Sequence, residues 1–282
     1  MSGIEVKNLT KRFGDVLALD NVSICFEENK IYGLLGRNGA GKSTLLNLIT
    51  NRIFSDSGSV LIDGVSVKED DSVLGKIYLM SEKTYYPEKM KVKEAFKWSK
   101  VFYPNFDEEY AINLAKRFEL NINKPVKSLS TGYTSIFKIV IALSVNAPYI
   151  LLDEPVLGLD ANHRDLFYRI LIEKYSESPC TIVISTHLIE EVSNVIEDII
   201  IIKQGKIIKN ESREALLSQG YTVSGVASIV DAYVAGKDVI GTDQLGGLKT
   251  VYVLGKIDQK VPEGIEISKL DLQKLFIQLT NV

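Results

Sequence analysis

Positions 4–26 alternate apolar and polar residues and are rich in β-branched side chains, which predicts antiparallel strands with one buried face. A short apolar strand follows at 30–35. It runs into a glycine-rich loop and then an apolar-periodic stretch at 43–53 that reads as a helix. Positions 60–67 read as a hairpin around Asp63-Gly64. Helical periodicity then dominates in three pieces, about 92–103, 107–119 and 130–145. Beyond it strand and helix alternate: strand 149–153, helix 161–175, strand 180–185, helix 188–196, strand 198–203. That rhythm predicts a mostly parallel, buried sheet covered by helices, with the helical block as an insertion.

The pattern changes after Asn210. A strand near 221–225, a helix near 226–235, strands near 238–243 and 249–254 and a helix near 270–280 predict a small α/β appendage. The expected organisation is a main domain over 1–212, with a helical subdomain inserted at about 83–147, and an accessory domain over 213–282.

The chain has 282 residues, with 45% hydrophobic and 24% charged, the balance of a globular protein with a sizeable core. A net charge of -3 gives no polyanion-binding signature, so no nucleic-acid partner is expected. Only Cys25 and Cys180 occur, each in an apolar stretch, where a thiol is expected to serve as a small buried hydrophobe. No disulfide framework or metal-ligand spacing is present, which suits a reducing compartment. The N-terminus does not read as a signal peptide. The apolar runs, such as 149–152 and 199–202, are too short to span a bilayer. A soluble chain is expected, with any membrane work done through a partner.

The most specific local signal is Gly36-Arg37-Asn38-Gly39-Ala40-Gly41-Lys42-Ser43-Thr44, which fits G-x-x-x-x-G-K-[ST] between a strand and a helix. Glycines let the backbone curl so that its N–H groups, from Asn38 to Thr44, point at phosphate oxygens. The helix N-terminus adds partial positive charge. Lys42 supplies a full charge to β- and γ-phosphates, and the Ser43 hydroxyl is a ligand for Mg²⁺. The strand 149–153 ends in Asp153-Glu154. Asp153 suits Mg²⁺, and Glu154 can take a proton from an attacking water.

Four further segments follow in order. Leu129-Ser130-Thr131-Gly132-Tyr133 resembles the signature of ABC ATPases, usually written LSGGQ. Gly158-Leu159-Asp160 resembles their D-loop, and Ser185-Thr186-His187 resembles their switch-histidine motif. Phe13, within Lys11-Arg12-Phe13-Gly14, resembles the aromatic that stacks on adenine. The resemblance to ABC ATPases covers roughly residues 3–210. It implies an α/β P-loop NTPase of ABC type: an antiparallel β subdomain, a mostly parallel core sheet and an inserted helical subdomain. It also implies ATP and Mg²⁺ as cofactors, with Glu154, His187 and Lys42 catalytic. Ser130 and Gly132 would face the γ-phosphate held by a second, identical subunit, with Asp160 at the same seam. The implied partner is a separate transmembrane permease, and the implied location is the cytoplasmic face of the cell membrane. The other histidine, His163, lies early in a helix without such company and reads as surface.

The sequence departs from the family pattern in places. Signature positions three and five are Thr131 and Tyr133. The position usually held by glutamine in the Q-loop is Glu82, placed by its spacing from Met90-Lys91-Val92. A carboxylate can ligate Mg²⁺, but unscreened it would repel a γ-phosphate by ~4 kcal/mol at ~4 Å and an effective dielectric of ~20. Glu82 is therefore expected to work only with Mg²⁺ between it and the phosphate.

Seven aromatics crowd 85–106: Tyr85, Tyr86, Phe96, Trp98, Phe102, Tyr103 and Phe106. In the family this surface receives a short helix of the membrane subunit, so several are expected to line a groove. The short α/β tail and altered signature resemble bacterial exporters of drugs, lantibiotics and amphipathic peptides, including phenol-soluble-modulin exporters. Two other readings stand beside this one. A soluble ABC ATPase acting on ribosomes or DNA is disfavoured by the single cassette, the lack of heptads and the acidic balance. A non-catalytic nucleotide sensor is disfavoured by intact Lys42, Asp153, Glu154 and His187.

Overall fold

The structure, a computed structural model, describes residues 2–68, 70–83, 86–258 and 260–280. They divide into two compact units: 1–187 with 200–210, and 188–199 with 211–282.

In the first unit, β1 (Ile4–Phe13) and β2 (Val16–Phe26) form an antiparallel hairpin in which Ile4 faces Phe26 and Phe13 faces Val16. Alternation puts Ile24 and Phe26 in the core and leaves Cys25 between them exposed, so this thiol is not the buried hydrophobe expected from its apolar neighbours. Cys180 is half-buried, and burial pushes its pKa up to about 11. The uninterrupted apolar strand β3 (Ile31–Leu35) is wholly buried and leads to α1 (Lys42–Ile49). β4 (Ser57–Ile62) pairs with β1 and turns into β5 (Val65–Ser66) through Asp63 and Gly64. Both turn residues have positive φ, 52° and 80°, as a two-residue hairpin loop of this kind requires. These strands make a four-stranded sheet in the order β2-β1-β4-β5.

The second sheet contains β3 and has β6 (Ile77–Met80) at one edge. Three helices follow: α2 (Val92–Phe102), α3 (Glu108–Arg117) and α4 (Thr131–Ser144). They pack against one another, and the Phe96 ring of α2 stacks on Phe137 of α4 at 6.3 Å between centroids. The chain returns in β7 (Tyr149–Asp153), α5 (Ala161–Glu177), β8 (Thr181–Thr186), α6 (Ile189–Val192), β9 (Asp198–Lys203) and β10 (Lys206–Ser212). The sheet order is β10-β9-β3-β8-β7-β6, and the β3–β8, β8–β7 and β7–β6 pairs are parallel. Strands 77–80 and 206–212 were not foreseen from patterning. The first is too short to show a period, and the second is mostly polar, with only Ile207 and Ile208 apolar. The helix expected over 188–196 is a single turn at 189–192.

In the second unit, α7 (Arg213–Leu217) precedes β11 (Gly220–Val226), α8 (Ala227–Val234), β12 (Asp238–Leu245), β13 (Leu248–Leu254), β14 (Ile265–Lys269) and α9 (Leu272–Thr280). Its antiparallel sheet runs β12-β13-β11-β14. Tyr221, Val223, Val251 and Val253 cluster with Val230 of α8. Leu272, Leu275 and Phe276 of α9 are buried as well. The unit thus has its own α/β core.

One polar network fixes the turn between β4 and β5 to the start of β7. Tyr149 is fully buried, and its hydroxyl donates to Asp63 Oδ1. Lys76 Nζ donates to Asp63 Oδ2 at 2.7 Å, and the Gly3 N–H to Oδ1 at 3.1 Å. Burial alone would raise the Asp63 pKa, but the bonds from Lys76, Tyr149 and Gly3 outweigh it and hold the carboxyl below its usual range. This stabilisation is complete at neutral pH and is lost as pH falls through the depressed folded-state value. Tyr149→Phe should lower unfolding free energy at neutral pH by about 1.5 kcal/mol, measured by urea denaturation. An unchanged midpoint and slope would contradict the assignment.

Candidate functional site

Parallel strands bring their carboxyl ends to one edge of a sheet, and that edge is where open α/β sheets take ligands. Here β3, β8 and β7 lie side by side, with Leu35 opposite Thr186 and Asp153 opposite Ser185. The loop after β3, the acids at the end of β7 and the histidine after β8 are therefore neighbours by register. Together they border a cavity of about 600 Å³ whose wall includes Asn38, Gly39, Ala40, Gly41, Lys42, Ser43, Thr44, Glu82, Asp153, Glu154 and His187.

The loop needs its glycines. Gly39 and Gly41 sit at φ 80° and 111°. A Cβ on Gly36 would come within 2.7 Å of the Ile202 carbonyl oxygen, so only glycine fits there. Gly41 stands at the N-cap of α1 and makes no side-chain cap, which leaves the first-turn N–H groups facing the cavity end of the helix. Lys42 opens α1 and is only 6% exposed. Its ammonium donates to the Gly36 carbonyl at 2.7 Å and lies 3.5 Å from Glu154 Oε1.

The two acids differ sharply. Asp153 is 6% exposed, accepts from the Ser185 hydroxyl at 2.9 Å and is hydrogen-bonded by Ser43. Burial pushes its pKa up, the neighbouring Glu154 pushes the same way, and the two serines and Lys42 only partly oppose them. Glu154 occupies left-handed backbone, φ 48°, which a β-substituted residue holds only when its surroundings compel it. Its carboxylate accepts from Thr186 Oγ1 at 3.2 Å and lies 3.0 Å from His187 Nδ1. A carboxylate has no proton to give, so Nδ1 carries the hydrogen and Nε2 is left to face elsewhere.

The remaining candidates stand outside this cavity wall. Phe13 is half exposed at the end of β1 with Lys11 Nζ 5.2 Å from its ring centroid; Val16, Leu17 and Ala18 of β2 line the wall instead. Ser130 is exposed and caps α4, accepting from the Tyr133 N–H at 3.3 Å. Gly132 lies flush on the D-loop, where a Cβ would come within 2.6 Å of the Gly158 carbonyl oxygen. Asp160 caps α5 by accepting from the His163 N–H at 2.9 Å.

His163 is a correction. It is half-buried, its Nδ1 lies 2.9 Å from Asp160 Oδ2, and its ring meets those of Phe118 and Tyr133 at 6.3 and 6.2 Å. Its aromatic partners come from elsewhere in the chain, which spacing along one helix does not reveal. The sequence reading also missed Ser135 of α4, whose hydroxyl donates to the Leu157 carbonyl at 2.7 Å. No local pattern marks that contact.

A triphosphate with Mg²⁺ fits these residues. A buried ammonium at a helix N-terminus suits an anion. A buried carboxylate with a raised pKa, beside the Ser43 hydroxyl, is relieved by a divalent cation.

Among the aromatics, Phe96 and Phe106 are core. Tyr86, Trp98, Phe102 and Tyr103 line a separate groove of about 370 Å³ together with Tyr78. Burial pushes the Tyr86 pKa up to about 12. Tyr85 lies outside the described residues.

Comparison with known proteins agrees with this geometry. Residues 19–157 match the model of the family described as ABC transporter. The ABC transporter ATP-binding protein YtrB of Bacillus subtilis is 35% identical over 192 residues, 68% of this chain and 66% of YtrB. The lantibiotic transport ATP-binding protein SrtF of Streptococcus pyogenes is 35% identical over 73% of this chain and 89% of SrtF. Other relatives are named as import proteins, for petrobactin and for xylose. The dimeric structure of MJ0796, a bacterial ABC transporter cassette, superposes with a TM-score of 0.67 at 28% identity, covering 74% of this chain and 98% of that one. The fold and site thus define a P-loop ATPase of the cassette type. This chain belongs to the ABC transporter ATP-binding protein family. Among the described residues, no helix is long and apolar enough to cross a membrane.

Ionised Asp153 is held against the cost of its own burial. Asp153→Asn should therefore leave the melting temperature of the nucleotide-free chain unchanged or raised, as read by scanning calorimetry. A fall of several degrees would show that the charge stabilises the fold.

Proposed function

We propose that this chain is the Mg²⁺-dependent ATPase subunit of an ABC exporter, working as half of a head-to-tail dimer bound to a separate membrane permease at the cytoplasmic face. The observation that supports it most is the convergence of Lys42, Asp153, Glu154 and His187 on one cavity behind the glycine loop. The loop N–H groups and Lys42 would hold the β- and γ-phosphates, and Phe13 or the nearby β2 residues would hold the base. Mg²⁺, held by Ser43, Asp153 and Glu82, would draw charge from the β- and γ-phosphate oxygens.

Glu154 then serves as the general base. It takes a proton from the water whose oxygen attacks the γ-phosphorus, while the bond to the β-phosphate oxygen breaks and ADP leaves. Thr186 and the Nδ1–H of His187 already fix the orientation of the Glu154 carboxylate. A phosphate competing for Lys42 would loosen the 3.5 Å contact that ties that ammonium to Glu154. Binding and release of the base are linked in this way.

Ser130, Gly132 and Asp160 lie apart from their own chain's cavity wall, which favours a role toward a second subunit. Ser130 caps the helix end that would meet the neighbour's phosphate. The aromatic groove, with Arg52, Lys83 and Lys138 at its border, suits a short cytoplasmic helix of the permease. The likeness to SrtF, a lantibiotic transport protein, supports export of drugs or of antimicrobial or amphipathic peptides. Residues 1–212 would form the ATPase domain, with its helical subdomain inserted at about 83–147, and 213–282 an accessory domain.

Glu154→Gln should bind ATP, lose at least about 100-fold in hydrolysis rate and accumulate as dimer with ATP in analytical ultracentrifugation. Full turnover in this variant would reject Glu154 as the base.

A further inference from the structure

Glu82 brings a negative charge to a cavity that already holds two carboxylates. A second cavity, about 260 Å³, lies between the Glu82 loop and α4 and is bordered by Glu82, Asp153 and Glu154. Among the described residues that line it, Lys138 of α4 is the one cation. Lys138 also borders the aromatic groove. It therefore sits where the groove proposed for the permease meets the acids proposed for catalysis.

Lys138 is placed there by helix geometry. The preceding turn of α4 carries Ser135, whose hydroxyl is bonded to Leu157, and Phe137 is fully buried against Phe96 and Tyr86. With both neighbours anchored, the side chain at 138 is directed at the Glu82 loop. Its ammonium donates to the Glu82 carbonyl oxygen, and it interacts electrostatically with the Glu82 side chain. An ammonium has three donors, and the bond to this carbonyl uses one. The charge remains free to act on the carboxylates nearby.

We propose that Lys138 is a positioning residue that makes a carboxylate tolerable at position 82: it pins the Glu82 loop to α4 and offsets the charge that would otherwise repel a nucleotide phosphate. The inference rests on the ATP-binding reading above. Lys138 is half-buried and Glu82 exposed. At the effective dielectric of about 20 that applies near a protein surface, a nearby opposite charge is enough to change anion affinity by about an order of magnitude. Lys138 and Glu82 should therefore be energetically coupled, and Glu82 without Lys138 should be worse for ATP than glutamine without Lys138.

The test is a double-mutant cycle on the full chain. Affinity for a fluorescent ATP analogue is measured in EDTA, so that no metal screens Glu82, and Mg-ATP turnover is measured in parallel. Lys138→Met should weaken metal-free binding about tenfold in the wild-type background and less than twofold in a Glu82→Gln background. Lys138→Arg, which keeps the charge, should bind within twofold of wild type. A melting curve for each variant confirms folding. If Lys138→Met proves unstable, Lys138→Gln takes its place in the same cycle. An equal loss in both backgrounds, or no loss in either, would overturn the role of Lys138. Failure of the wild-type chain to bind the analogue at all would instead sink the nucleotide-binding reading, so the two failures are distinguishable.

Discussion

An ammonium ion almost wholly removed from water must be met by oxygen, and in this chain that requirement organises the site. Lys42 is held between the Gly36 carbonyl and the Glu154 carboxylate. The two partners stand at the ends of β3 and β7, which flank β8 in the parallel sheet, so the lysine can be satisfied only if β3, β8 and β7 lie in register. The register in turn requires three strands that are buried at every position, on both faces of the sheet. Sheet and charge arrangement are therefore one constraint seen at two scales.

The same constraint explains the strained glutamate. A β-substituted residue at φ 48° costs of order 1 kcal/mol or more. Here the turn aims the Glu154 carboxylate at Lys42, Thr186 and His187 at once. Asp153, one residue earlier, points to Ser43 and Ser185 and is buried. Successive residues leaving a strand face opposite ways. Two adjacent acids thereby acquire different environments, one suited to a metal ion and one to a proton.

Much of this was legible in the sequence because it is local. The glycine loop, the apolar strand ending in Asp153-Glu154 and the histidine after Thr186 each carry their meaning within a few residues, and parallel-sheet logic joins them. The contacts that escaped are those made between segments distant in the chain. His163 read as surface because its aromatic partners are Phe118, at the end of α3, and Tyr133 of α4. Lys138 read as an unremarked position in a helix because its partner lies in a loop 56 residues away. Cys25 misled because composition in its window was apolar while alternation turned it outward. The tail was recognised as α/β, but β14, a five-residue strand with only Ile265 and Ile267 apolar, is too short to show its alternation and was missed.

Nucleotide binding in this chain depends on Lys42 as the anchor for a phosphate. Calorimetric titration of Mg-ATP into the wild-type chain and into Lys42→Ala measures this directly. Loss of the ammonium should weaken binding by at least about 100-fold, the scale expected for a buried charge–phosphate contact, while the far-UV circular dichroism stays that of the native fold. Equal affinity in the two proteins would contradict it.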